Sequence, residues 1–240
     1  MTGTTGDGQS VAVVHAMLSD AIIGGVLPAG SAVSQLALEK DYGVGRTPLR
    51  EAIRMLQAEG FIVGEPKKRV RIAELTGADA EELFCLRIQL ETTAVRQTIP
   101  TLSSRDIAEM EGYMAQMGHY GRGRDWLALR EPHRDFHAKF TGGAAPRRQA
   151  LIRNLFDHAE RYRAAVIAPS EEHWAERQTE HRELIDAAAD ADADRTADLL
   201  IHHYAHSLKL ILSTLEPGRE LTRIRETIEH ISPTAIALLG

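Results

Sequence analysis

The chain has 240 residues, a formal net charge of −6 and 43% hydrophobic residues, which suits one large or two modest globular domains. No apolar run approaches the roughly 20 residues of a membrane-spanning helix, so no membrane partner is expected. The N-terminus lacks the basic start and apolar core of a secretory signal, and residues 1–9 are predicted to be a disordered tail. The single cysteine, Cys85, excludes an internal disulfide framework and predicts a reducing, cytoplasmic location.

Residues 10–74 are predicted to form a winged helix-turn-helix. Apolar residues recur at helical spacing over 10–24, and Ser34 is placed to cap a second helix that ends at Gly43. A third helix follows and stops at Gly60. The β-prone segments 61–63 and 70–72 then flank a turn, which is typical of a hairpin. Three helices followed by a hairpin indicate a DNA-binding domain whose hairpin tip is the wing.

Basic residues gather on this domain although the whole chain is acidic. Arg46, Thr47, Arg50 and Arg54 lie at the start and along one side of the third helix. Arginine bonds guanine bidentately, and helix N-terminal amides bind phosphate, so this helix is predicted to enter the major groove. The wing tip adds three further candidate DNA contacts, Lys67, Lys68 and Arg69. The alternative is that the arginines are ordinary solvated residues of an exposed helix.

Residues 76–231 carry no strand signals and are predicted to form a bundle of six to seven helices. Thr76 and Asp79 resemble a capping box at the start of a helix that reaches about Thr98. A loop is expected over Gly118–Gly123 because three glycines fall in six residues. The fold class is therefore mostly α, with the winged helix-turn-helix first and the helical bundle second.

The segment from Gly43 to Gly60, which reads GVGRTPLREAIRMLQAEG, resembles the winged-helix domain of the GntR family of bacterial regulators. The helical remainder resembles the FCD ligand-binding domain of its FadR subfamily. This resemblance implies a homodimer that binds operator DNA at an inverted repeat through Arg46, Arg50 and the wing. Two positions depart from the family: Gly45 stands where serine is usual, and Arg69 stands where the wing usually has glycine.

Several of the eleven histidines fall in a pattern that favours a metal site. His133 and His137 are four residues apart in one predicted helix and therefore share a face. His181 and His203 lie in the middle of two later helices. Imidazoles that converge inside a bundle suit zinc, nickel, copper or iron. The alternative is that they are separate interior or surface histidines.

The family resemblance assigns these histidines a common role. Metal-binding FCD domains typically present an aspartate, a histidine four residues later, and two further histidines on later helices. His137, His181 and His203 match the three histidines, whereas His133 occupies the aspartate position. Asp135 points about 200° around the helix from His137 and is not expected to replace that aspartate. The resemblance thus implies four nitrogen ligands and a divalent transition metal, with zinc or nickel preferred over manganese.

Arg87 and Glu91 also match an FCD pattern, in the first helix of the bundle. One reading is that Arg87 points into the bundle and holds a carboxylate effector bidentately. The other is that the two residues form a surface i,i+4 salt bridge. Few aromatic residues are available, so a small organic or sugar acid is a better expected effector than a large hydrophobic ligand.

Three functions fit these patterns. The preferred one is a ligand-responsive transcriptional regulator, expected to be a repressor, whose helical domain binds a metal and a small carboxylate and dimerises. The alternative is a metal-dependent hydrolase that carries a DNA-binding domain, although no His-Glu-x-x-His motif is present. The third is an architectural DNA-binding protein with a purely structural metal, whose DNA affinity would not respond to small acids.

Overall fold

The computed structural model describes residues 9–64, 69–166 and 171–239. The chain folds into two compact units, one containing residues up to Leu75 together with Glu160–Ala165, and the other containing the rest. Most of the tail predicted over residues 1–9 lies outside the described residues, as do Lys67 and Lys68 at the predicted wing tip.

The N-terminal unit contains the predicted three helices and hairpin, together with one strand that the sequence did not predict. Its elements in chain order are α1 (Val11–Ile23), β1 (Ala32–Ser34), α2 (Gln35–Tyr42), α3 (Arg46–Ala58), β2 (Ile62–Val63) and β3 (Arg69–Ile72). The strands form an antiparallel sheet of order β1-β3-β2, in which Val33 pairs with Val70 and Ile62 pairs with Ile72. At three residues, β1 is too short to show a strand period.

Local capping explains where these helices begin and end. The Ser34 hydroxyl accepts a hydrogen bond from the backbone N–H of Ala37, as predicted for the start of α2. Gly43 ends α2 in the left-handed conformation at φ 62°, which glycine adopts without steric cost. On α3, Leu49, Ile53 and Leu56 are buried in the core of the unit, and this apolar stripe orients the opposite side of the helix outward.

Seven more α-helices follow in the part of the chain that the structure describes. They are α4 (Gly77–Thr98), α5 (Ser104–Arg122), α6 (Trp126–Thr141), α7 (Pro146–Val166), α8 (Glu171–Ala189), α9 (Ala193–Leu215) and α10 (Thr222–Ile231). Short 3₁₀ segments occupy Ile99–Thr101 and Pro233–Leu239. The mostly helical fold class is confirmed. Within the described residues, no helix is both long and apolar enough to cross a lipid bilayer.

The loop predicted over Gly118–Gly123 is wrong, because α5 continues as helix to Arg122. Gly118 and Gly121 are buried, and a Cβ atom at Gly121 would lie 2.3 Å from the ring of Trp174 on α8. At Gly121 the glycine therefore allows a close approach between two helices instead of starting a turn. The Trp174 ring also meets that of Trp126, the first residue of α6, with 6.1 Å between ring centroids.

Candidate metal centre and DNA-binding surface

The predicted DNA-contacting side of α3 is exposed. Arg46, Thr47, Arg50 and Arg54 all face solvent, and the three arginines follow one another at intervals of four residues on one side of the helix. Gly45 stands at the N-cap and provides no side-chain cap, so the first amides of α3 remain available to an anion. The helix thus presents a row of guanidinium groups next to a dipole end that attracts phosphate.

Two of these arginines form ion pairs with glutamates that are weak enough to be exchanged for DNA phosphates. Arg46 Nε lies 3.3 Å from a carboxylate oxygen of Glu39, and Arg54 Nη1 lies 2.7 Å from one of Glu51. Exposed pairs of this kind contribute at most about 1 kcal/mol, so DNA phosphates can replace the carboxylates. Within the described residues, Arg50 has no ion pair or hydrogen bond to give up.

Arg71 on strand β3 is an exposed basic residue that the predicted set of DNA contacts did not contain. Arg69 and Arg71 are exposed on β3, whereas Val70 and Ile72 between and beyond them are buried. The period of two along a strand places both arginines on the outer face. Arg71 Nη1 also donates a hydrogen bond of 3.3 Å to the carbonyl oxygen of Gly30. The alternation of charged and apolar residues along β3 is the sequence pattern that indicates an exposed Arg71.

The four predicted metal ligands converge in the helical unit. His133 and His137 lie on α6, His181 on α8 and His203 on α9, and one ring nitrogen from each lies within 4.8 Å of the other three. His137, His181 and His203 are almost fully buried, whereas His133 is half-buried. Asp135 is not part of this cluster; its Oδ1 instead lies 3.5 Å from Arg134 Nε. The four-residue spacing on α6 places its two rings 4.7 Å apart.

The ring nitrogens of this cluster lack the hydrogen bonds that buried polar atoms normally have. Within the described residues, His137 Nδ1 and both nitrogens of His181 are buried without a hydrogen-bond partner. Each such atom costs about 1–3 kcal/mol when left unsatisfied, so its presence calls for an explanation. Burial, together with the mutual repulsion of the clustered rings, holds the pKa of His137 and of His181 well below the usual value. Both rings are therefore neutral at pH 7, the form that binds metal.

A divalent transition metal fits this donor set. One ring nitrogen from each of the four histidines lies within 4.8 Å of the others, so the four rings could hold one ion between them. Four neutral imidazoles also favour zinc, nickel or copper over the harder, oxygen-preferring ions.

A charged network surrounds His203. Its Nδ1 lies 2.6 Å from Glu180 Oε2, and the other carboxylate oxygen of Glu180 accepts a hydrogen bond from His206 Nδ1. Arg177 Nη1 lies 3.3 Å from His203 Nδ1 and donates to the hydroxyl of Ser207 at 2.6 Å. Burial lowers the pKa of His203 to about 4, against the opposing effect of Glu180. Burial raises the pKa of Glu180, but the hydrogen bonds from His203 and His206 outweigh it and keep that pKa below its usual value.

Arg87 and Glu91 form the i,i+4 salt bridge of the second interpretation, but the pair is buried and does not lie at the surface. Their side chains are only 5% and 2% exposed, and Arg87 Nε donates to Glu91 Oε1 at 2.7 Å. Tyr204 completes the group: Arg87 Nη2 donates to its hydroxyl at 2.7 Å, and that hydroxyl donates to Glu91 Oε2 at 2.6 Å. The guanidinium carbon also lies 4.0 Å from the centre of the Tyr204 ring, a favourable cation–π position.

A cavity of about 310 Å³ lies beside the histidine cluster. His137 of the histidine cluster and Glu91 of the buried pair both line this cavity, and so do Arg134 and Arg153. Arg87 itself is not among the lining residues, whereas its partner Glu91 is. Sequence patterns did not reveal Arg134, Arg153, Glu180 or Tyr204 as site residues, because their roles depend on contacts between different helices.

These features define a transcriptional regulator with a winged helix-turn-helix and a helical effector-binding domain. Residues 11–72 match the family described as "Bacterial regulatory proteins, gntR family", and residues 82–206 match the FCD domain. The chain therefore belongs to the GntR family of bacterial transcriptional regulators and carries an FCD domain.

Two curated relatives match this chain along nearly their whole length. The HTH-type transcriptional regulator YdhC of Bacillus subtilis is 23% identical over 207 residues, which cover 85% of this chain and 91% of that protein. The HTH-type transcriptional repressor GlaR of Escherichia coli is 25% identical over 223 residues, which cover 88% and 97% respectively. These relatives are regulators, not enzymes, which confirms the preference for a DNA-binding regulator over a hydrolase.

Solved structures show the same fold. E. coli McbR/YncC superposes with a TM-score of 0.75 at 19% identity, covering 85% of this chain and 97% of that one. A GntR regulator from Rhodococcus sp. RHA1 gives a TM-score of 0.71 at 21% identity, with the same coverage.

Proposed function

We propose that this GntR-family regulator is a metal-dependent sensor of a small carboxylate, and that it represses transcription by binding operator DNA as a homodimer. The observation that carries the proposal is the buried cluster of four histidines, in which His137 and His181 present nitrogens without protein partners among the described residues. A buried nitrogen without a hydrogen-bond partner is costly, whereas coordination of a metal ion would give it a partner.

The metal ligands in this proposal are His133, His137, His181 and His203, and the ion is zinc or nickel. When bound, the metal supplies a Lewis acid that attracts an anionic ligand. The three helices that carry the ligands, α6, α8 and α9, are held together by the same coordination, so binding of the metal also stabilises the bundle.

The effector in this proposal is a small organic or sugar acid bound in the cavity of about 310 Å³. That volume lies at the lower end of the range of roughly 300–1,000 Å³ that small-molecule sites occupy. A carboxylate of the acid would lie beside His137, on the side of the cavity nearest the metal site, and the rest of the ligand would meet Arg134 and Arg153. Arg87 takes part through Glu91: an incoming carboxylate that displaces Glu91 gains the bidentate contact with Arg87.

DNA recognition in this proposal uses Arg46, Thr47, Arg50, Arg54 and the wing residues Lys67, Lys68 and Arg69. A homodimer presents two such heads to an inverted repeat, so the spacing of the half-sites follows from the dimer geometry. The effector changes DNA affinity only if it binds more tightly to one arrangement of the two DNA-binding heads than to the other. The free energy of this coupling is typically about 1–3 kcal/mol.

The decisive experiment measures metal content and DNA affinity together. Elemental analysis compares the wild type with His181→Ala, and His202→Ala serves as a control, because His202 lies on α9 outside the cluster. We expect a stoichiometric transition metal in the wild type and the control, and none in His181→Ala. DNA affinity is then titrated against a panel of small acids on an operator selected from random sequences.

The outcomes separate the competing functions. Loss of metal in His181→Ala together with acid-dependent DNA affinity supports the sensor. A metal that is present while DNA affinity ignores every acid indicates the architectural protein with a structural ion. Absence of metal from the wild type, even after incubation with zinc and nickel, contradicts the proposed site.

A further inference from the structure

Glu180 connects two histidines through one carboxylate. It lies on α8 immediately before His181 and is only 9% exposed. Its Oε2 lies 2.6 Å from His203 Nδ1, and its Oε1 accepts from His206 Nδ1. Arg177, on the same helix, forms an ion pair with this carboxylate, with 3.4 Å between Arg177 Nη1 and Glu180 Oε2. Both oxygens are therefore engaged in directed contacts.

This arrangement decides which nitrogen of His203 carries the proton. An ionised carboxylate accepts hydrogen bonds and donates none, so the Nδ1 that faces Glu180 must carry hydrogen. In a neutral imidazole the other nitrogen, Nε2, then has the free lone pair that a metal requires. A hydrogen bond from a ligand histidine to a carboxylate also orients the ring and makes it a stronger donor.

Charge gives Glu180 a second role. Imidazoles bind a metal in their neutral form, so a dication held by these four rings would have no negative charge in direct contact. A carboxylate at position 133 would supply such a charge, but this chain has histidine there. Glu180 provides the negative charge one imidazole away from the ion, through a short hydrogen bond in a buried environment where electrostatic effects are strong.

We propose that Glu180 is a positioning residue of the metal site, which fixes His203 with Nε2 toward the ion and supplies the carboxylate charge that His133 does not. The proposal rests on the proposed metal site. Glu183 offers a matched control, because it lies on the same helix as Glu180 but is exposed, and within the described residues it makes no hydrogen bond or ion pair with His203.

The experiment compares zinc affinity in wild type, Glu180→Gln and Glu183→Gln, by competition with a chromophoric chelator. Circular dichroism of the metal-free proteins reports folding, and the visible absorption of bound Co²⁺ reports ligand geometry. We expect Glu180→Gln to bind zinc about 10- to 100-fold more weakly at unchanged stoichiometry, with an altered Co²⁺ spectrum. Glu183→Gln is expected to match the wild type in both.

Each result decides between the two proposals. If the wild type binds no zinc, the metal site itself fails. If the wild type binds zinc and Glu180→Gln binds it equally well, or both variants weaken alike, the positioning role is overturned while the metal site stands. If Glu180→Gln does not fold, Glu180→Asp replaces it: the shorter side chain keeps the charge but draws back from His203. Unchanged affinity and spectrum in that variant then overturn the proposal.

Discussion

The hydroxyl of Tyr204 donates a hydrogen bond of 2.6 Å to Glu91 and thereby joins α9 to α4. Tyr204 directly follows the candidate ligand His203, and Glu91 lines the cavity in which the effector is proposed to bind. The cavity and α4 thus share one hydrogen-bonded group in the interior of the helical unit, and Tyr204 places that group next to the candidate ligand His203. Buried polar networks of this kind are costly to leave partly unsatisfied, so each of the three side chains should matter for stability.

Removing this hydroxyl should destabilise the protein. In Tyr204→Phe, Glu91 loses a donor and Arg87 loses an acceptor in a buried position, which costs about 1–3 kcal/mol. Urea unfolding of the metal-free protein measures the loss. Tyr113→Phe is the control, because the half-buried Tyr113 has no hydrogen bond within the described residues, and it should change stability by less than about 0.5 kcal/mol. Equal stability of the two variants would contradict the role assigned to the Tyr204 hydroxyl.

The Arg87–Glu91 pair should show strong non-additivity. Arg87→Met leaves Glu91 as a buried charge without its cation, which costs about 3–5 kcal/mol. The double variant Arg87→Met/Glu91→Leu removes both charges and should recover most of that loss. Unfolding free energies of the wild type, both single variants and the double variant form the cycle that measures this coupling. Additive losses would show that the pair is not energetically coupled.

Two glycines of α5 should respond to alanine with opposite signs. A Cβ at Gly121 would collide with Trp174, so Gly121→Ala should destabilise by about 1–3 kcal/mol despite the better helix propensity of alanine. Gly112 is exposed with nothing within 4 Å of a Cβ, so Gly112→Ala should stabilise by about 0.5–1 kcal/mol. Thermal and urea unfolding compare the two variants, and stabilisation by both would rule out the close contact at Gly121.

Arg50 should contribute to DNA affinity more than an equally exposed arginine elsewhere. If it contacts a base edge, Arg50→Ala costs about 1–3 kcal/mol of specific binding; if it contacts phosphate, the variant reduces the salt dependence by about one unit. Fluorescence anisotropy on a selected operator at several salt concentrations distinguishes these cases. Arg105→Ala, which removes an exposed arginine on α5, should leave both affinity and salt dependence unchanged. An Arg50→Ala protein that binds like the wild type would contradict a DNA contact by Arg50.

Acid should weaken one specific contribution to stability at the start of α5. Hydrogen bonds from the hydroxyl and backbone of Ser103, followed by the ammonium group of Lys139, hold the pKa of Asp106 below its usual value. The folded state therefore favours the ionised carboxylate, and its stabilising effect is complete above pH of about 4 and lost progressively as the pH falls further. The wild type should melt at a higher temperature than Asp106→Asn at neutral pH. This advantage should shrink steadily as the pH falls below about 4. A difference that does not depend on pH would contradict this assignment.

Sequence patterns predicted the elements whose causes are local. Ser34, Gly43 and Thr76 act at helix ends through their own side chains or backbone, and the structure shows each of them doing so. The four-residue spacing of His133 and His137 likewise follows from helix geometry alone. The convergence of these two with His181 and His203 was expected only from the family resemblance, because spacing does not determine how separate helices are packed.

The errors arose where tertiary contacts override local preference. Gly121 was interpreted as a turn residue, but its role is defined by the ring of a tryptophan 53 positions later in the chain. The Arg87–Glu91 pair has the spacing of a surface salt bridge, and only the packing of Tyr204 against it shows that it is buried. Glu180 carries no sequence signal beyond its position beside His181, because its function depends on a histidine of another helix.

The contact between Trp126 and Trp174 gives the protein a built-in optical probe. They are the only two tryptophans of the chain, and each lies seven residues, or about two helical turns, before a histidine of the cluster, Trp126 before His133 and Trp174 before His181. All of the indole emission therefore originates at one end of the two helices that an ion would draw together. Intrinsic fluorescence can follow titrations with metals and acids on unlabelled protein, without DNA.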